Sequence, residues 1–447
     1  MTLIELDRDT PLDPVAGRPP PRLYRPLGLL VALVLAVLPG GAAPHSGSLW
    51  RYLGVIPPTA GVETPIQLAG GHLFTVAPAG ARRILTAWTL EPAPARLWSA
   101  DLPPSVAADP SNGAFIPVWV RQADDVVLVT AGMSTTAIES DSGRIRWTTG
   151  VRITVGDGGT GMVVDRIFRP GTVYDQDSGE PGMLYFSADG QPHTEPPIRT
   201  EVRGVDLATG RTLWTAGPAG SVLADPVPGD HPAVLITASD RLTLHDARTG
   251  AVLHETVLPE RSGAGPSTSD VLGGVVLVGY DEAGLQAGYD TSTLRLLWTR
   301  DLQAEMDPPS CAGLLCAGSR DSTEVLDPST GRPLWALPSA ADLDVAVGHV
   351  LHSDPSSGAP VRLHDPATGA SWVELTGWTD VVESFADVLV MRRADQTGGQ
   401  AFGIVRPGRP EVRTLGVADL DGQECGADDR FVVCRDVQGL RIWAYRV

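Results

Sequence analysis

The chain of 447 residues contains no lysine; all 34 of its basic residues are arginine. That absence excludes Schiff-base chemistry on a lysine amine, a Walker-type phosphate lysine and a serine–lysine nucleophile. Neither G-x-S-x-G nor H-E-x-x-H occurs, and no catalytic constellation can be named from the residues. Basic charge is in deficit as a whole, with 53 acidic residues and a formal net charge of −19. Residues 1–26 are neutral, so the acidic surplus belongs to residues 27–447, and such a surface repels nucleic acid and anionic membranes. Long amphipathic stretches of helical period are missing outside the N-terminal segment, which excludes a helical solenoid.

What the chain does have is a returning frame. "GVDLATGRTLW" places Asp206 four residues before Gly210 and Trp214 four after it. The frame returns with Asp327, Gly331 and Trp335, and with Asp290 and Trp298. It returns again with Asp246 and Gly250, where His254 takes the tryptophan slot. Asp365 and Gly369 carry it with the tryptophan one place early, at Trp372, and Gly143 and Trp147 carry it with Glu139 as the acid. Short β-rich runs flank each copy, so each reads as an antiparallel hairpin closed by a Gly-containing turn. The acid is expected to accept backbone amides in the turn, and glycine to supply a positive φ. Tryptophan is expected to bury its face against neighbouring strands while its N–H finds a backbone oxygen.

The tryptophan slots fall at 98, 147, 214, 254, 298, 335 and 373, a period of about 40 with one insertion between 147 and 214. Repeats of that length, mostly strand, predict an all-β fold: a β-propeller of four-stranded blades. The hairpin count with ring closure is nine, counting a worn hairpin at 401–416. Eight blades are expected, within a range of seven to nine, with one worn hairpin outside the ring. Closure is expected from a strand at about 48–54 pairing with one at about 438–446, which removes the open edge. The N-terminus divides into a polar, proline-rich tail at 1–26 and a charge-free run at 27–43, with the propeller at 44–447. Seventeen uncharged residues are just enough for a transmembrane helix. Arg18, Arg22 and Arg25 before them orient the N-terminus inward, with the propeller extracytoplasmic. Cleavage near Ala43, giving a secreted protein, is the alternative.

Four cysteines, Cys311, Cys316, Cys425 and Cys434, fall in two close pairs at matching places of two repeats. Disulfides within blades are expected outside the cytoplasm, each worth about 2–3 kcal/mol; the spacing fits no zinc pattern. "GDGGTG", through Gly156, Gly158 and Gly161, spells a dinucleotide fingerprint, but the β-branched run after it leaves no helix N-terminus, so a loop is expected. "DQDSGE" (175–180) and "DLDGQE" (419–424) lack the EF-hand pattern. His245 and His364 precede their turn aspartates and read as parts of the hairpin.

At "VDLATGRTLW" and "VLDPSTGRPLW" the sequence resembles the pyrroloquinoline-quinone-type propeller repeat, over roughly residues 84 to 445. Quinoprotein alcohol dehydrogenases and an outer-membrane assembly lipoprotein share that repeat. The resemblance implies the fold more than an activity. The dehydrogenases' adjacent cysteine pair, catalytic aspartate and calcium ligands match no position here. No cysteine precedes Cys311, where the lipoprotein has its lipidated one. What remains is similar to membrane-tethered propeller-repeat proteins of high-GC Gram-positive bacteria. The expected function is a non-enzymatic binding or scaffold protein, monomeric and without cofactor or metal, for a protein or cell-envelope partner. The alternative is a quinone- or metal-dependent oxidoreductase using the propeller channel.

Overall fold

The computed structural model describes residues 50–57, 65–79, 82–103, 118–174, 184–261, 265–302, 311–319, 322–396, 398–420 and 424–446. The run at 27–43 and the acidic segment at 175–180 lie outside the described residues, as does part of 419–424.

Along the chain the sheets of the ring are blades one (67–102), two (118–149), three (154–216), four (223–257), five (268–301), six (316–337), seven (342–374), eight (380–418) and nine (425–445 with 50–56). Each copy of the frame named above folds as the last two strands of its sheet. In blade three, Arg199–Asp206 pairs with Thr212–Ala216, and Gly204 lies opposite Trp214. The turn between them is built by its own side chains. Asp206 Oδ1 accepts the Thr209 amide and hydroxyl, both at 2.8 Å, and the Gly210 amide donates to the Asp206 carbonyl at 2.8 Å. Gly210 sits at φ 70, and Gly143, Gly250, Gly331 and Gly369 lie within a few degrees of it.

Two more strands stand inside each such hairpin, or one in blade six among the described residues, so that the other blades are four-stranded antiparallel sheets. Blade five is Thr268–Leu272, Val275–Tyr280, Leu285–Asp290 and Leu296–Asp301, in that order. The second strand of a blade is covered on both faces by its neighbours, so it reads as a continuous apolar run. Val275–Tyr280 is buried at every position and Ala233–Thr237 likewise. The outermost strand faces water, and Val252–Val257 is exposed at five of its six positions. The cores therefore lie between blades, as separate apolar clusters.

Among the described residues, nine sheets form the ring, one more than the eight expected. The worn hairpin at 401–416 belongs inside it, as strands Gln400–Arg406 and Arg409–Ala418 of blade eight. It carries no tryptophan in the usual slot because Trp378, from the preceding connection, packs over Gly403 instead. Blade six shows three strands, Cys316–Ser319, Ser322–Leu326 and Pro333–Leu337. Blade nine is composite: Trp50–Ile56 adds to Gly439–Tyr445 in antiparallel register, with Trp50 opposite Tyr445. Trp50 stacks on Trp443 at 5.4 Å and on Phe402 of blade eight at 5.2 Å. The insertion lies between the second and third strands of blade three and includes a small hairpin, Tyr185–Phe186 with Pro192–His193. No helix among the described residues is long and apolar enough to cross a membrane.

The blades are joined through the tryptophans. Trp214 of blade three donates its indole N–H to Ala247 O in the turn of blade four, at 2.8 Å, and lies flat on Gly250. A Cβ on Gly250 would stand 2.5 Å from the Trp214 ring. Gly358, in a similar Asp-to-Gly turn (Asp354 to Gly358) that joins the second and third strands of blade seven, has the same φ of 70 but open space around it. The two glycines separate backbone strain from ring packing. Gly358→Ala is expected to cost about 1–2 kcal/mol for the left-handed conformation. Gly250→Ala should cost about 1–3 kcal/mol more, through displacement of Trp214. Urea unfolding midpoints of the two variants check this, and equal losses would refute the packing contribution.

Candidate functional site

The recurring polar residues are engaged in building the turn end of the ring. Asp246, Asp290, Asp327 and Asp365 each accept hydroxyl and amide hydrogens from the Ser or Thr residues of their own turns. Those hydroxyl bonds, the largest influence on each, hold all four carboxyls below their ordinary range. Glu139 accepts Ser142 Oγ at 2.6 Å and pairs with Arg144, which holds its pKa at about 2. Trp98, Trp147, Trp298 and Trp335 donate to Ser140, Leu207, Pro328 and Pro366 of the following turns, at 2.6 to 3.0 Å. His245 and His364 stack on Trp214 and Trp335, and each places Nδ1 within 3.0 Å of the turn glycine's carbonyl. Trp372 stacks on His349 of its own blade. His254, in the fourth blade's slot, is exposed.

A cleft lies at this turn end, against blades two, three and four. It measures about 250 Å³ and is lined by Asp124, Asp125, Gly158, Gly159, Asp206 and Arg248, among others. "GDGGTG" forms one wall as the turn from Thr154–Val155 to Thr160–Ile167, with Gly158 at φ 64 and Gly159 at φ 71. A strand comes after it rather than a helix, so no macrodipole points at the cleft. Its groups are tied to one another. Arg248 Nη2 donates to Gly158 O at 2.5 Å, and the Leu207 amide donates to Gly159 O at 3.0 Å. Arg146 pairs with Asp125 at 2.5 Å and, as the first cause, lowers its pKa. Three carboxylates and one guanidinium suit polar or cationic recognition. Sequence reasoning weighed the glycines of this loop but not Asp124, Asp125 or Arg248, which come from other blades than the loop itself. Among the described residues, no group of three or more His, Cys, Asp or Glu could hold a metal ion.

The cysteines stand as two pairs at disulfide distance. Cys425 and Cys434 face one another across the first two strands of blade nine, with Cα atoms 4.1 Å apart. Cys311 and Cys316 have Cα atoms 6.3 Å apart. Cys311 forms a parallel bridge to Leu343 on the inner strand of blade seven, Asp342–Ala346, so this pair ties that contact to blade six.

Acid tests the turn chemistry. Asp354, whose Ser356 hydroxyl and turn amides hold its pKa at about 2, and Glu139 both sit below their unfolded values of 3.8 and 4.5. Their stabilisation is complete above those values and lost as pH falls toward 2. Urea midpoints are expected to drop between pH 5 and pH 2.5, and less steeply in Asp354→Asn. An unchanged slope in that variant removes Asp354 from the account.

Residues 198–365, from the third strand of blade three to the third of blade seven, match a family model described as outer membrane protein assembly factor BamB. Solved structures similar to the chain include BamB from Moraxella catarrhalis, at 13% identity and a TM-score of 0.40, covering 89% of this chain and 100% of that one. Sqt1 from Saccharomyces cerevisiae is similar at 11% identity and a TM-score of 0.43, covering 89% and 99%. A europium-containing methanol dehydrogenase is similar at 11% identity and a TM-score of 0.37, covering 88% and 86%. No curated protein sequence matches the chain significantly.

Proposed function

We propose that this chain is a membrane-anchored, extracytoplasmic propeller that acts as a non-enzymatic binding or scaffold protein. The observation that carries the reading is the match of residues 198–365 to an assembly-factor model. It falls on the blades whose recurring aspartates and tryptophans are bound up in turns and joints rather than directed at a substrate. Residues 27–43, uncharged and preceded by Arg18, Arg22 and Arg25, are the proposed anchor. The ring is entered at Trp50, opposite Tyr445, where the last strand of the chain ends. Strand order puts that point at the same end of its sheet as the Asp–Gly turns of the other blades, and at the opposite end from the blade-three insertion.

Crosslinking in the native membrane, followed by mass spectrometry of the captured species, identifies the partner. A reproducible protein or envelope adduct on the propeller is expected. Incubation of the purified protein with the quinone and calcium tests the enzymatic alternative. Stoichiometric quinone absorbance with alcohol-dependent dye reduction would replace the binding reading. N-terminal sequencing is expected to find residues before Leu27, and a start at Pro44 or His45 means a secreted protein instead.

A further inference from the structure

The joint between blades six and seven carries a pair of imidazoles, His352 and His364, beneath its indole. Among the described residues its buried apolar set is small, Val325, Ala341, Leu343 and Val350; the joint between blades five and six also buries four such residues, and that between blades four and five twelve. At its inner side stands the Cys311–Leu343 bridge, with the Ala312 amide donating to Leu343 O at 2.9 Å. At its outer side Trp335 of blade six covers Gly369 and donates to Pro366 O. Beneath that indole lies His364, with ring centroids 5.4 Å apart, and His364 faces His352 of its own blade at 5.7 Å. A column of one indole and two imidazoles thus closes a joint that has little other apolar filling.

The column is built for neutral imidazoles. His364 is 2% exposed, and its Nδ1 lies 2.9 Å from Gly369 O, so that nitrogen carries the hydrogen and donates. Nε2 is then the bare acceptor, buried without a hydrogen-bond partner. A proton placed there makes a cation with no acceptor, beside a second imidazole. The surrounding charges give it little help. Arg362 is itself a cation, paired with Glu374 at 2.6 Å. Asp354 is committed to Ser356 and Ser357, and His349 is stacked on Trp372 with Nδ1 at Val347 O.

We propose that the joint between blades six and seven is a proton-sensitive joint, closed while His352 and His364 are neutral and loosened when they are protonated, with the other joints left intact. Burial, the first cause for both, lowers their pKa from the usual 6.5, and for His352 the facing His364 adds to it. The unfolded or opened state takes up these protons at higher pH than the closed one. The stabilisation is therefore complete above about pH 6.5 and lost as pH falls below it. His245 supplies the internal comparison. It stacks on Trp214 at 5.6 Å and meets Gly250 O at 3.0 Å, but it forms no imidazole pair of the kind seen in blade seven.

Hydrogen exchange of the full chain at pH 7.5 and 5.5, corrected for intrinsic rates, reads the opening directly. Peptides spanning Pro333–Leu337, Pro360–His364 and Ser371–Glu374 are expected to exchange about tenfold faster at the lower pH, while Arg241–Asp246 and Val275–Tyr280 change less than about threefold. His364→Phe should abolish the difference. If that variant fails to fold, His352→Gln, at a half-buried position, should cut the acceleration at least about threefold by removing the second imidazole. Acceleration spread evenly over all nine blades, or undiminished in His352→Gln, overturns the proposal.

Discussion

The ring depends on one repeated contact: the indole of one blade lying flat on the turn of the next. Its geometry is demanding at three points at once. The ring plane needs a turn residue without a Cβ, since the nearest indole atom stands 2.5 to 2.7 Å from where that Cβ would be at Gly143, Gly210, Gly250, Gly331 and Gly369. The turn needs an acid to collect its amides, so that the carbonyl beside it is presented outward. The indole N–H then takes that carbonyl, which satisfies the one polar atom that burying a tryptophan would otherwise strand. Aspartate, glycine and tryptophan recur together because each is a condition for the others, across two blades rather than within one.

The exceptions show the same coupling. Blade four has His254 in the tryptophan slot, and the next turn along the ring is the one whose glycine position is Leu294. With no indole above it, a side chain is admitted despite a φ of 52, and Leu294 is buried in the joint between blades four and five. The left-handed backbone costs about 1–2 kcal/mol. Burial of a leucine contributes about 1.5–3 kcal/mol in the opposite direction, so the exchange is close to balanced. Elsewhere the contact is improvised. Trp378 covers Gly403 within blade eight, Trp50 covers Gly416 across the eighth joint, and at the last joint Ile66 stands against Gly426.

Much of this was legible in the chain. The period, the hairpin around each acid and glycine, and the need of each indole for a backbone oxygen follow from residue types at fixed distances. What was not legible is where the indole goes, because the partner of Trp147 is Leu207, sixty residues on and in another repeat. The blade number suffered for the same reason. A ruler laid along tryptophans undervalues blade eight, whose covering indole comes from the connection before it. The cleft was hidden more deeply: Asp124, Gly158 and Arg248 meet only because three consecutive blades bring their turn ends together.

A structure that commits its recurring residues to its own assembly leaves function to the places where the repeat is broken. The aspartates are held by their own serines and threonines, and the tryptophans by the next turn, so neither can be withdrawn for a ligand without opening a joint. Three places depart from the repeat. The insertion in blade three adds surface beyond the repeat, and Val173, Phe186 and Ile198 on it stay about half exposed. The turn end gathers unrepeated charges around the "GDGGTG" loop. The joint after blade six sets an imidazole pair beneath the usual indole. None of the three removes an indole contact on which the ring depends. That is why such a frame can hold one architecture while its irregular positions diverge, and why the irregular positions are the ones to mutate in search of a partner.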